Sequence, residues 1–317
     1  MGTFAQGKMT LADVYLQQLI NGLSLGAMYA LLALGFTLVY GILELINFAH
    51  FNVFMVGSFV GLGMLELFGV VPGGPAPGGF TLAAVLIGTL LVTMIASGLL
   101  GVAIERIALR PLRNVRGPAA MITTIGVSYI LFNLVLLGLG ADSKNFPDPL
   151  PALTLPLGGA VLRLREVLIW AVSLVLMGLL TWFVQFTRLG KAMRATAQDA
   201  DAARMMGIEV DRVIIAAFFL GSALAGAGGL MFGLYYNFTS YIIGFTAGLR
   251  AFTAAVLGGI GNVPGAMLGG IIIGLIEAMG SQMISASWAD VIIFSILVLV
   301  LVFRPAGLLG RVAPNRS

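Results

Sequence analysis

The sequence predicts an all-α polytopic membrane protein, with about eight spanning helices and two short broken or re-entrant helices. Two observations carry that prediction. Hydrophobic residues make up 59% of the 317-residue chain, charged residues only 9%, and mean hydropathy is +1.05. A soluble domain carries about 25% charge, and so few charges could not cover this many Leu, Val, Ile and Ala side chains. The apolar residues are also gathered into runs of bilayer length, because a core of about 30 Å takes ~20 helical residues to cross. Zero cysteines excludes a disulfide framework, an iron–sulfur cluster and Cys-based zinc sites, and the single histidine, His50, leaves no His-rich metal site. No cofactor is expected.

In chain order the long runs are residues 14–34, 51–69, 80–104, 119–140, 165–187, 213–235, 264–284 and 289–303. The first has a weak basic n-region, and its hydrophobicity continues far past a signal-peptide cleavage distance, so it is read as a membrane helix. Two further pieces, 35–46 and 247–259, look too short to span. Each leads into a polar or glycine-rich break and then a full-length run, the pattern of a discontinuous helix lining a cavity. Residues 71–79 (VPGGPAPGG) read as an external linker.

Lys and Arg concentrate on the cytoplasmic side of membrane proteins. Twelve of the 17 fall in 105–116, 188–212 and 304–316, which are therefore placed inside. The run 80–104 then descends, and the Pro-rich segment 141–164 (Pro147, Pro149, Pro151, Pro156) is external. The last run ends inside at Arg304. Parity holds if 247–259 dips in from outside without crossing and 264–284 climbs back out; the same scheme places residues 1–13 inside. Net charge +4 and a pI near 9.6 thus reflect orientation. Nucleic-acid binding is excluded for want of a soluble module.

The first break, residues 45–52, sets Asn47, His50 and Asn52 within an apolar stretch. Such groups need partners, because unsatisfied polar groups are expensive in lipid. They either border a wet pathway or tie a helix break together. The second break, 257–265 (LGGIGNVPG), lacks the preceding strand and GxGxxG spacing of a nucleotide loop. Its Gly259, Gly261 and Asn262 suit a re-entrant hairpin, and small-residue packing accounts equally well for the glycine pairs Gly57/Gly61, Gly229/Gly233 and Gly265/Gly269. Arg250, at the head of the second short piece, is expected to snorkel to the outer headgroups rather than meet a carboxylate.

The inside segment 188–212 is Ala-rich and charged and should form an exposed amphipathic helix, with Met193, Ala197, Ala200 and Arg204 at helical spacing and Gly207 ending it. Its terminal Ala-Arg-Met-Met-Gly-Ile offers a compact knob for a groove on another protein. The chain holds no GxxxxGK[ST], no HExxH and no nucleophile constellation, so no enzyme is read from it.

At residues 22–40 (GLSLGAMYALLALGFTLVY), 46–50 (INFAH), 190–212 with its MMGI, 241–270 and 304–310 (RPAGLLG), the sequence resembles the LivH-type permease subunit of branched-chain amino-acid ABC importers. The resemblance covers nearly the whole chain, and INFAH and AFTAAVLGGIGxxPGA are its specific motifs. It implies one transmembrane permease domain over 1–317 in the bacterial inner membrane, with a coupling segment at 188–212. It implies a second, related permease, two cytoplasmic P-loop ATPases and an external solute-binding protein as partners. The substrate path would take Asn47, His50, Phe51, Asn52, Gly259, Gly261 and Asn262. The ATPase contact would take Gly190, Arg194, Asp199, Ala203, Met206 and Gly207. After INFAH the family usually has Gly and an acidic residue; Phe51-Asn52 here implies a narrower, more apolar path. The resemblance favours import of hydrophobic amino acids. Urea or short-chain amides are the nearest rival cargo, a self-contained secondary transporter or channel is a different class, and a structural subunit without a pathway is a third.

Overall fold

The computed structural model describes residues 10–74, 77–113, 115, 118–304 and 306–310. In order these form α1 (Leu11–Leu43), α2 (Ala49–Leu67), α3 (Gly79–Ile104), α4 (Ala119–Leu139), β1 (Lys144–Asn145), β2 (Thr154–Leu157), β3 (Ala160–Arg163), α5 (Leu164–Phe186), α6 (Arg188–Gln198), α7 (Ala200–Met205), α8 (Val210–Tyr236), β4 (Phe238–Thr239), α9 (Ile243–Gly258), α10 (Val263–Met283) and α11 (Ala289–Phe303). A π-turn at Glu105–Leu109 and a 3-10 turn at Arg110–Leu112 prolong α3. Eight of the described helices are long and apolar enough to cross a membrane. The strands make two short antiparallel pairs, β1 with β4 and β2 with β3. The protein is an all-α multi-pass membrane protein.

Helices α1, α2, α8 and α9 form the centre, with α10 against them. The most apolar window of α1 is 83% buried and those of α4 and α11 only 11%, so the latter two belong to the rim. Lipid gives apolar helices no hydrophobic reason to associate, and close backbone approach must supply the attraction. The sequence meets that need with small residues at the crossings. A β-carbon on Gly26 would lie 2.7 Å from Ile271 Cα, and one on Gly22 would lie 2.8 Å from Leu275 Cα, so α1 and α10 touch backbone to backbone. The glycine pairs work likewise: Gly57 meets Gly226 and Gly229 meets Phe54 where α2 crosses α8, and Gly265 and Gly269 meet Gly258 and Ala254 where α9 crosses α10.

Contacts between helix ends show which ends lie together. At one end Asp13 Oδ1 accepts from Gly159 N at 2.8 Å and Gln17 Oε1 from Val161 N at 2.9 Å, seating the β2–β3 hairpin on the start of α1. Gln18 donates to Gln282 there at 3.2 Å. At the other end Val39 packs with Leu109, Ala203, Val210 and Phe218, and Arg110 and Arg113 pair with Asp211 at 3.0 and 2.6 Å. Arg113 also pairs with the fully buried Glu105 inside the π-turn. This second end carries the basic segments and is the inner one.

Two expectations about threading are corrected. Residues 35–43 are not a separate short helix; they are the last turns of α1, which stops only where Glu44 turns left-handed (φ 53°). At 1.5 Å per residue that 33-residue helix is about 50 Å long and crosses in one pass. A crossing added here reverses the parity of everything before it, so residues 10–13 lie at the outer, hairpin end and not inside. Residues 1–9, with Lys8, lie outside the described residues, as do Arg116, Arg311 and Arg316. The segment expected to dip back at 247–259 also crosses. From the outer end of α8 the chain runs extended past Ser58, whose Oγ donates to Thr239 Oγ1 at 2.8 Å, and then as α9 to the inner end. There Leu308 N and Leu309 N donate to Leu257 O and Gly258 O at 2.8 and 3.0 Å. From there α10 climbs back out, as expected.

Candidate functional site

The first break is a built turn. Asn47 Oδ1 accepts from Ala49 N at 3.1 Å, closing the turn that leads into α2, and Thr124 Oγ1 of α4 accepts from Phe48 N at 3.2 Å. His50 is buried; its Nε2 lies 3.3 Å from Leu32 O of α1, and Nδ1 has no partner among the described residues. The Asn52 amide donates to both Ser128 O and Ser128 Oγ of α4 at 2.7 Å. Its Oδ1 is buried and unpartnered among the described residues, and a β-carbon on Gly244 would lie 2.5 Å from it. Phe51 is 2% exposed, stacks on Phe36 at 6.1 Å and meets Phe48 edge-on at 5.7 Å. Gly248 leaves the space its ring fills.

Above this floor lies a cavity of about 480 Å³, lined by Phe51, Asn52, Ser128, Phe132, Tyr241 and Phe245 among others. Its wall is mostly aromatic, and its polar groups are the Asn52–Ser128 pair and the hydroxyls of Tyr129 and Tyr241. That combination suits an apolar guest with a small polar part. Asn47 and His50 stand behind it as structural ties, while Phe51 and Asn52 reach it.

Gly259, Gly261 and Asn262 belong to a different place. Asn262 Oδ1 accepts from Gly265 N at 3.0 Å, capping α10, and its amide donates to Leu309 O at 2.7 Å. Gly259 (φ 107°) and Gly261 (φ 87°) take backbone angles in the left-handed half that favours glycine. They form the α9–α10 turn and receive the 306–310 segment of the chain. Gly261 and Asn262 line a second cavity of about 420 Å³ at the inner end with Gln185 and Arg194. Both breaks lie along the inner half of α1, His50 against Gly35 and Gly261 against Gly41, and the first turns of α9 pack on Phe51 and Asn52 through Gly244 and Gly248.

The inner segment is two helices, not the single one expected. Thr187 Oγ1 caps α6 through Gly190 N at 3.0 Å, and Asp199, in extended backbone, caps α7 through Asp201 N and Ala202 N, both at 2.9 Å. Asp and Thr favour caps over helix interiors, which is why the helix breaks at Asp199. Gly190 is buried against α5, Arg194 donates to Val184 O, and Ala203 sits in the inner cluster under Val210 and Phe218. Met205 and Met206 are each 82% exposed, and Gly207 turns the chain at φ 83°. Of the six predicted contact residues, Gly190 and Ala203 anchor the segment, and Met206 with its neighbour Met205 presents the knob.

Sequence reasoning missed a four-residue polar assembly between helices α1, α9, α10 and α11. Arg250 does not snorkel outward. It donates to Glu277 of α10, to Tyr29 Oη of α1 at 3.1 Å, and through Nη2 to Asp290 Oδ1 of α11 at 2.8 Å. Tyr29 Oη in turn donates to Glu277 Oε2 at 2.8 Å. A half-buried guanidinium among apolar helices costs less beside two carboxylates than alone. Lone Glu277 within an apolar run, and Asp290 at the start of another, were the available signals.

The family model for the branched-chain amino acid transport system permease component matches residues 18–301. The chain is 40% identical over 301 residues to the high-affinity branched-chain amino acid transport system permease protein BraD of Pseudomonas aeruginosa, covering 94% of this chain and 96% of the relative. It is 40% identical over 302 residues to LivH of Escherichia coli K12, with the same coverage of each. A probable LivH of Methanocaldococcus jannaschii is 30% identical over 325 residues, covering 96% of this chain and 95% of that one. No solved structure matches the chain. With its polytopic helical fold and a match along most of its length, the chain belongs to the family of branched-chain amino acid transport system permease components.

Proposed function

We propose that this chain is one transmembrane domain, over residues 1–317, that serves as a permease subunit of an ABC importer for branched-chain or other hydrophobic amino acids. A second related permease would complete the path, two cytoplasmic P-loop ATPases would drive it, and an external solute-binding protein would deliver the cargo. The observation that carries this reading is the knob at the inner end: two methionines, each 82% exposed at the end of α7, held by a capped break and a glycine turn. Exposed apolar side chains on a rigid knob fit a groove on another protein, and methionine adapts to such grooves. The aromatic cavity with its Asn52–Ser128 pair supports an apolar cargo, and Phe51, as its floor, keeps it narrow.

Purification of the tagged chain from its native membrane in gentle detergent, followed by mass spectrometry, is expected to recover a second permease and two P-loop ATPases. In the Met205→Asp, Met206→Asp double variant, ATPase recovery is expected to fall at least tenfold while the second permease stays. Recovery of this chain alone, with gradient-driven uptake in liposomes, would instead make it a secondary transporter. Urea bound to the co-purified binding protein would change the cargo but leave the assembly standing.

A further inference from the structure

Helix α9 leaves one strip uncovered: Ile242, Phe245 and Thr246 are exposed and Leu249 is half-buried. One edge of the strip borders the aromatic cavity through Phe245. The other edge is Arg250, one turn beyond Thr246, with Asp290 beside it. Two features bear on what covers this strip. The first is backbone: residues 240–242 are not in a helix, although the neighbouring Thr239 bonds to Ser58 in the middle of α2. Irregular backbone at membrane depth occurs where protein buries it or water reaches it. The second is charge. Asp290 is thirteen residues from the inner end of α11, roughly 20 Å at 1.5 Å per residue, and its side chain is 57% exposed.

The charges near Asp290 decide what it faces. Arg250 is the only basic side chain bonded to the cluster among the described residues, and it is shared between Glu277 and Asp290. Both Glu277 oxygens are engaged, one by Arg250 and one by Tyr29. Asp290 receives Arg250 Nε and Nη2 on the same oxygen, Oδ1, at 3.1 and 2.8 Å, and no described group donates to Oδ2. One cation against two carboxylates leaves an excess negative charge with a free acceptor on its exposed side. A carboxylate that shares its one cation with a second carboxylate and keeps a free, exposed acceptor attracts a further cation.

We propose that Asp290, held by Arg250 at the edge of the open α9 strip, faces the water-filled path and receives the ammonium group of the amino acid in transit. This rests on the proposed importer reading, and it adds the site that meets the charged end of the cargo, while the aromatic cavity suits its apolar end. Arg250 fixes Oδ1 in place, and Oδ2 accepts the ammonium hydrogen bond.

The chain contains no cysteine, so Thr246→Cys carries its sole thiol. In the purified complex in proteoliposomes, with the cysteine-free chain as background, that thiol is expected to react with water-soluble methanethiosulfonates. Leu174→Cys, 63% exposed on α5, whose apolar window is only 22% buried, is expected not to. The cationic reagent should outpace the anionic one on the order of fivefold, Asp290→Asn should bring the ratio near one, and L-leucine should slow the labelling. An inert Thr246→Cys, or a charge preference unmoved by Asp290→Asn, overturns the proposal. Leucine import without leucine protection also overturns it. If the complex imports no leucine, the importer reading fails on its own, and the charge ratio still decides whether a wet, negative strip exists.

Discussion

Gly274→Leu is expected to remove more than nine-tenths of the folded protein from the membrane, whereas Gly178→Leu should leave its level within twofold. Both are mid-helix glycines in apolar runs, and their surroundings separate them. A β-carbon on Gly274 would overlap the backbone of Gly26, one on the neighbouring Gly270 would lie 2.5 Å from Ala30 Cα, and at neither position is the nearest atom a flexible side-chain end that could move aside. Overpacking a core usually costs about 1–3 kcal/mol, with side chains shifting to absorb it. Here two backbones must separate, and the loss spreads along the α1–α10 contact that holds the centre together. A β-carbon on Gly178 meets nothing within 4 Å. Fluorescence-detected gel filtration of tagged variants reads the outcome: a lost or aggregated peak for Gly274→Leu, a native one for Gly178→Leu. Equal peaks would mean that α1 and α10 are not in backbone contact.

The second large effect is expected at Arg250. Arg250→Met strands Glu277, whose side chain is 8% exposed, without its cation. Removing one partner of a buried pair typically costs about 3–5 kcal/mol, because the remaining charge has lost its compensation. The variant should therefore unfold in detergent well below the parent. The double variant Arg250→Met, Glu277→Gln should recover most of that loss, since the substituted side-chain amide keeps an acceptor for Tyr29 Oη and carries no charge. A thermal-shift measurement on the four proteins of this cycle checks it. If the double variant is as unstable as Arg250→Met alone, the ion pair is not the reason Arg250 is required.

The spanning helices were legible in the sequence because bilayer thickness imposes a length on apolar runs, and the basic segments marked the inner end. What misled was continuity. By composition the run 14–34 ends at Gly35, yet Gly35 sits against Gly221 and His50 without interrupting α1; small residues at a close crossing look the same in sequence as a helix break. That error alone inverted the placement of residues 10–13. The polar breaks at Asn47–Asn52 and Gly259–Asn262 stood out by composition, but that α1 brings them within two turns of each other, at Gly35 and Gly41, is a tertiary fact. Asn52 could be named, but its partner Ser128 could not, because the pairing depends on how α4 lies along α2. Arg250 was visible and was assigned to the headgroups, since pairing it required Glu277 and Asp290 from two other helices. The knob was more legible, because caps and glycine turns are local: Asp199 and Gly207 mark its limits in the sequence, even though the break between α6 and α7 was not foreseen.

A chain that forms the path for an apolar amino acid, moved inward at the expense of ATP, must show it in transport. The most direct measurement is uptake of radiolabelled L-leucine by the purified complex in proteoliposomes, with binding protein outside and ATP inside, for the parent chain and for Asn52→Leu. ATP-dependent accumulation is expected in the parent. At least a fivefold slower rate is expected in Asn52→Leu, which removes both bonds to Ser128 beside the aromatic cavity, with the ATPases still bound. Accumulation that needs no ATP, or an Asn52→Leu complex that transports at the parent rate, would contradict this reading of the path.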